Sequence, residues 1–531
     1  MSETLTVVPG EVTLATLRRV ARDGASIAFP PETWAAVEAS AGMLATAIAE
    51  DRTVYGVNTG FGKLASTRIG AADLATLQRN LLLSHATGTG PELSDEVIRL
   101  VLATKAIGLA RGYSGVRPET IRMLLALLSH GVCPCVPAKG SVGASGDLTP
   151  LAHLSSILIG VGEATHKGRR MPAADALAIA GLAPIVLGPK EGLALINGTQ
   201  VSTALALSGL FAAEDAFAAA MVAGAMTVDG AKGSSSPFDA RIHAARGHAG
   251  QADAAAAYRR LLAGSGIMAA HGNKNRVQDP YSLRCQPQVM GAILDTLRFA
   301  ARTLGIEANA VSDNPIVFAA EGDVLSGGNF HAEPVAFGAD FLAIALSEIG
   351  AMSERRTAFL VDTSLSGLPA FLVKSSGLNS GFMVAQITAA ALASENKALA
   401  HPSSVDSIPT AANQEDHVSM ATYGARRLAE IADNVRGIVA IELIAAAQAL
   451  DFQAPLETSA DLAAAHAAVR AKVAHYDEDR RFAEDIAAIK AEIAAGPVKP
   501  FAPPGPGLRV GPAPAGGGRR GGRRGGQLGP A

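Results

Sequence analysis

The sequence predicts a mainly α protein, a bundle of long helices, and three observations carry that expectation. Apolar residues make up 49% of the chain but aromatics only 4%. The apolar fraction is therefore largely Ala and Leu, which lose little side-chain freedom in a helix. Long segments repeat apolar residues at three- and four-residue spacing, which gives a helix one buried face. Glycine and proline punctuate the gaps between them. A chain of 531 residues can bury a large core and hold two or three domains.

Residues 13–22 and 31–48 read as short amphipathic helices, with Leu14, Leu17 and Val20 on one face of the first. DRTVYGVNTGFGKLA follows, where Gly56, Gly60 and Gly62 interrupt any regular element. Tyr55 sits in this loop, a place where a tyrosine ordinarily packs. LQRNLLLSHATGTGPEL reads as a helix stopped at Gly88 to Pro91, with Ser84 and His85 in its last turn. A charged imidazole there would offset the negative end of the helix dipole. Residues 93–130 form a helical pair around RGYSGVRPET.

The stretch GSVGASGDLTPLAHL, residues 140–154, admits two readings. In one, Asp147 caps a helix opened by Leu148, Pro150 and Leu151. In the other, Gly146 lets its amide nitrogen reach the Ala144 carbonyl carbon, so that ring closure and dehydration of Ser145 leave an electrophilic methylene. Such an electrophile would fill a role otherwise taken by a cofactor. A phosphate cradle is disfavoured, because neither GxGxxG nor a P-loop ending is present.

Further on, KEGLALINGTQ places Asn197 before Gly198, and residues 271–291 read as a polar functional loop. From residue 292 the pattern is helical, with Ile293, Leu297, Ala300 and Leu304 on one face. Similar runs span 341–356 and 423–450, the latter carrying Leu428, Ile431, Val435 and Ile438. Helices so long and apolar imply burial against other subunits. The expected division is an N-terminal region at 1–200 carrying the reactive loop, a helical bundle at 201–497, and a disordered Gly/Pro/Arg-rich tail at 498–531.

That tail holds six basic residues and no acids, so the body carries −9 against −3 for the whole chain. A mildly acidic body argues against a nucleic-acid partner. MSETLTVVPGEV shows no secretory pattern. Glu214, Asp215 and Glu442 interrupt the apolar runs, which argues against a membrane span. A cytoplasmic location is the expectation. Cys133, Cys135 and Cys285 are too few for a disulfide framework. Cys133, Cys135 and His130 lack a fourth ligand at standard spacing, so no metal is expected.

Together, YGVNTGFG, GSVGASGDL, INGTQ, QDPYSLRCQPQ, GGNFHAEP and ANQEDHVSM occur in the order and spacing of the aromatic amino acid ammonia-lyases. The chain resembles that family over residues 8–497. The resemblance implies a long-helix bundle with the active-site loops at its end. It also implies that Ala144, Ser145 and Gly146 cyclise into 4-methylideneimidazol-5-one (MIO), with no external cofactor, and that the protein is a homotetramer with shared active sites. Family members acting on histidine carry Ser-His where this chain has Ser84 and His85, and Glu415 stands where phenylalanine enzymes have Gln. The implied reaction is conversion of L-histidine to trans-urocanate and ammonia, the first step of histidine degradation. A tyrosine or phenylalanine lyase or aminomutase is the alternative on the same scaffold.

By the same resemblance, Tyr55 takes the β-proton, which requires its phenol to ionise below the usual ~10. Arg284 clamps the substrate carboxylate, a task suited to a planar bidentate donor. Asn197, Gln278 and Tyr281 hold the carboxylate, the amine or the ring. Phe330 packs near the electrophile, and His85 and Glu415 hold the imidazole. The resemblance leaves open whether the methylene captures the amine or the imidazole. Thr149, where the family often has Ala, is the one departure noted.

Overall fold

In the computed structural model, which describes residues 3–270 and 277–495, the helices Gln200–Gly230, Gln286–Glu307, Glu333–Val361 and Leu428–Asp451 form the frame. The mainly α architecture is as the sequence predicts. The expected tail at 498–531 lies outside the described residues. Gln200–Gly230 is apolar on nearly every side and buried along most of its length, as a helix without a polar face must be. It packs against Leu428–Asp451, and Glu333–Val361 lies against both.

Gln200–Gly230 and Glu333–Val361 are long and apolar enough to cross a membrane by length and composition. Their most apolar windows are 72% and 67% buried inside the protein, as core helices are. Between Glu333–Val361 and Leu428–Asp451, Arg356 and Glu442, both 0% exposed, pair through contacts of 2.5 and 2.8 Å. Thr227 Oγ1 donates to the same carboxylate at 2.9 Å. A buried charge pair is tolerated when it is bidentate and its carboxylate has a further donor, although Arg356 Nη1 is left without a partner among the described residues.

Ahead of the frame come Leu14–Arg22, Thr33–Ala49, Leu74–His85, Asp95–Leu109 and Pro118–His130. Thr13 and Ser94 accept amide protons as caps of the first and fourth of these. Pro118 opens the fifth, and Gly131, with φ of +65°, closes it. One core runs from Val7 to Ile493.

The structure differs from the sequence expectation in four places. The stop after His85 becomes a strand, Thr89–Glu92, paired antiparallel with Pro137–Lys139. That pairing ties the end of the His85 helix to the start of the 140–154 loop. Asp147 stands at the N-cap of Leu148–Ser156 but its side chain makes no capping bond. The run at 423–450 is two helices, Ala421–Arg426 and Leu428–Asp451. The polar loop at 271–291 ends in the single turn Tyr281–Arg284 and then Gln286–Glu307, whose first turn admits Pro287; residues 271–276 lie outside the described residues.

Candidate active site

Asn197, Phe330 and Glu415 each lie shortly ahead of the start of a helix: Gln200–Gly230, Glu333–Val361 and Ala421–Arg426. The bundle thus gathers loops separated in sequence at one end, where exposed amide groups and helix dipoles favour negative charge. A cavity of about 1180 Å³ opens there, lined by Tyr55, Ser84, His85, Ala144, Ser145, Asn197, Phe330 and Glu415.

The 140–147 loop is held rigidly. Gly143 and Gly146 have φ of +68° and +74°. A Cβ on Gly146 would lie 2.1 Å from the Gly198 carbonyl oxygen, so only glycine fits. Asp147 N donates to Gly198 O at 2.7 Å, and Asn197 Nδ2 donates to Ser145 O at 2.7 Å. On the other side, Met420 N donates to Val142 O at 2.8 Å and Ser419 Oγ to Gly143 O at 3.0 Å. The Asp147 carboxylate, read from sequence as a cap, instead accepts from Ser202 N, Ser202 Oγ and Thr422 Oγ1 at 2.7, 2.9 and 2.6 Å. It is fully buried and locks the loop to the two helices behind it.

Ser145 Oγ donates to Glu415 Oε1 at 2.5 Å. His85 Nδ1 meets Leu81 O at 2.8 Å and Ser84 Oγ at 3.0 Å. The carbonyl can only accept, which places the proton on Nδ1 and leaves Nε2 an acceptor in the neutral ring. Burial pushes the His85 imidazole below its ordinary value, outweighing the Leu81 bond and the Glu415 charge. The charged imidazole expected at this helix end is therefore disfavoured; desolvation exceeds the dipole's attraction. Tyr55 lies edge-on to Phe61, and its oxygen accepts Gly62 N at 3.0 Å.

Gln278, Tyr281 and Arg284 do not line this cavity. They stand at the start of Gln286–Glu307, where Tyr281 is 69% exposed and the Arg284 guanidinium lies 4.8 Å from its ring centroid. Gly146 is buried beside Ser145 rather than facing the opening.

Among the lining residues that escaped the sequence reading are His331 and His417, whose rings stack in parallel with centroids 5.7 Å apart. Both sit inside quoted motifs, GGNFHAEP and ANQEDHVSM, which was the available signal. With Glu333 they offer three ligand atoms within 4.8 Å of one another. Cys133 and Cys135 are kept protonated by burial, which pushes their thiols up to about 12 and about 11. Protonated thiols are poor metal ligands.

The sequence profile described as aromatic amino acid lyase matches residues 12–471. The chain belongs to the aromatic amino acid lyase family. Relatives include a histidine ammonia-lyase from Aromatoleum aromaticum, 62% identical over 92% of this chain and 93% of that one. Another, from Rhodospirillum rubrum, is 60% identical over 93% and 97% of the two chains. Among solved structures of the family, histidine ammonia-lyase from Trypanosoma cruzi superposes with a TM-score of 0.87 at 39% identity, covering 94% of this chain and 96% of that one. A tyrosine aminomutase from Streptomyces globisporus gives 0.89 at 36% identity, covering 94% and 98%. The shared lyase fold thus hosts more than one substrate, and the cavity side chains must choose among them.

Proposed function

We propose that this chain is a histidine ammonia-lyase, a carbon–nitrogen lyase that converts L-histidine to trans-urocanate and ammonia. The observation that carries this reading is the placement of His85 and Glu415 in one cavity with Ala144 and Ser145. The His85 Nε2 and the Glu415 carboxylate are acceptors that suit the N–H of an imidazole and match nothing on a bare phenyl ring. The 62% identity to a relative named for the same activity supports it.

The residues at 144–146 fit the MIO group. The glycine is enforced by the Gly198 contact, and the Ser145 carbonyl already has its donor in Asn197. Ala144, Ser145 and Gly146 would form the group from the chain itself, and it would supply an electrophilic methylene that assists departure of ammonia. The remaining work belongs to ordinary side chains. Tyr55 takes the β-proton, as a base held in the cavity wall can. Asn197 orients the Ser145 carbonyl, and Phe330 closes the wall beside it. Arg284, with Gln278 and Tyr281, binds the substrate carboxylate and amine from a neighbouring copy, since they stand outside their own chain's cavity. A homotetramer in the cytoplasm is our reading. Phe337, Phe341 and Ile344, spaced four and three apart and exposed on Glu333–Val361, support such an assembly. We retain the division into a loop-bearing region at 1–200, a bundle at 201–497 and a tail.

A substrate panel tests the reading. L-Histidine, L-tyrosine and L-phenylalanine, followed at the absorbances of urocanate, coumarate and cinnamate, should give product from histidine alone. Preferential turnover of tyrosine or phenylalanine would move the chain to another branch of the family.

A further inference from the structure

We propose that Lys105 is a positioning residue for closure of the Ala144-Ser145-Gly146 ring, its buried ammonium holding the Asn197–Gly198 peptide against the residues that react. The proposal rests on the reading that the ring forms.

Lys105 lies within Asp95–Leu109, a helix buried along nearly its whole length, and is 1% exposed. Its Nζ donates to Asn197 O at 2.7 Å and to Gln200 Oε1 at 3.2 Å. Both acceptors are neutral. The carboxylates in this part of the core have other partners: Asp313 is taken by Lys190 Nζ at 2.6 Å, and Asp147 accepts from Ser202 and Thr422. An ammonium enclosed with only neutral partners costs folding free energy, and burial pushes Lys105 down to about 7. A leucine or methionine would fill the same space without an enclosed charge but would strand the Asn197 carbonyl, so core packing does not explain the amine.

Its target does. Asn197 O, gripped by Lys105, belongs to the residue whose Nδ2 donates to Ser145 O at 2.7 Å. The next residue, Gly198, bridges to Gly146 and accepts Asp147 N at 2.7 Å. Lys105, Asn197 and Ser145 thus form one continuous line of contacts, although Lys105 touches none of the reacting atoms.

The chemistry needs that line. In closure, the Gly146 nitrogen bonds the Ala144 carbonyl carbon. The Ala144 oxygen leaves as water, taking the amide protons of Gly146 and Ser145 and leaving a carbon–nitrogen double bond to Ser145. Ser145 then loses its Cα proton and its hydroxyl as a second water, leaving the methylene. Loss of the Cα proton drives negative charge onto the Ser145 carbonyl oxygen, where Asn197 Nδ2 is already aimed. A donor fixed where charge develops lowers the barrier, and Lys105 fixes that donor from behind. The same grip keeps Gly198 pressed on Gly146, favouring the bent geometry in which nitrogen and carbon meet.

The test uses the full chain with Lys105→Met, which keeps the volume and removes the charge, and Lys105→Gln, which decides the matter should the methionine variant not fold. Folded protein is followed after synthesis by intact mass and near-ultraviolet absorbance. Wild type should lose two waters per chain, and the variants should do so about 10–100-fold more slowly, leaving a hydrated fraction. Folded variants that dehydrate at the wild-type rate would overturn the role of Lys105 and leave the ring intact. Retention of both waters by wild type would overturn the ring itself, and this proposal with it.

Discussion

The Ser145 hydroxyl donates to Glu415 Oε1 across 2.5 Å, joining two residues 270 positions apart. Thr410 Oγ1 holds the other carboxylate oxygen at 2.6 Å. The side chain read as gripping the substrate ring is thus anchored within bonding reach of the serine read as becoming the electrophile. On that reading, specificity and reactivity share one contact. Glu415→Gln keeps the shape and removes the charge. It should lower kcat/KM for L-histidine by at least about tenfold, the loss of one charge-assisted hydrogen bond, while the near-ultraviolet signature of the ring persists. Unchanged kcat/KM would remove Glu415 from substrate recognition.

Tyr55 occupies the cavity wall with its oxygen already accepting an amide from Gly62. Tyr55→Phe deletes the phenol oxygen read as taking the β-proton. Turnover should fall about 10²–10⁴-fold, the usual contribution of a positioned base, with the melting temperature little changed. A variant that turns over at the wild-type rate would eliminate Tyr55 as the base.

Burial sets the pH behaviour of His85. Its imidazole is held below 6.5 in the folded chain, so between 6.5 and that lower value the unfolded chain binds more protons. Stability from this group is therefore complete above 6.5 and is lost as the pH falls through the folded value. A carbon-13-labelled histidine titration should place the His85 midpoint below 6.5, identified by its absence in His85→Gln. A midpoint above 6.5 would mean that the Glu415 charge outweighs burial.

Arg356 and Glu442 are both fully enclosed at the crossing of the frame helices. Arg356→Met strands the carboxylate in the core and should destabilise the fold by about 3–5 kcal/mol. Arg356→Met with Glu442→Leu should recover most of that loss. Chemical denaturation of both variants checks the pair, and equal destabilisation by the single and double variants would show that shape, not charge, matters there.

Much of this was legible in the sequence, for physical reasons. Leu428, Ile431, Val435 and Ile438 announce a buried helix face because burial and the helical period select the same positions, and all four are buried. The reactive loop was legible through its glycines, whose backbone has no room for a side chain. The short strand Thr89–Glu92 was not, since its four residues are all exposed and show no apolar–polar alternation. Asp147 looked like a local cap because two of its partners, Ser202 and Thr422, lie 55 and 275 positions away. Lys105 is one of several polar residues in Asp95–Leu109 with no sequence signal of its own, and only the fold brings Asn197 to it. Tyr281 and Arg284 carry motif chemistry, yet a single chain leaves them outside the cavity.

The most direct test of the central claim is urocanate formation from L-histidine by the purified chain and by Ser145→Ala, with no cofactor added. Wild type should release urocanate steadily with an equal amount of ammonia, and the variant should lose nearly all of it. Urocanate formed by Ser145→Ala at the wild-type rate would contradict a lyase whose electrophile is built from its own backbone.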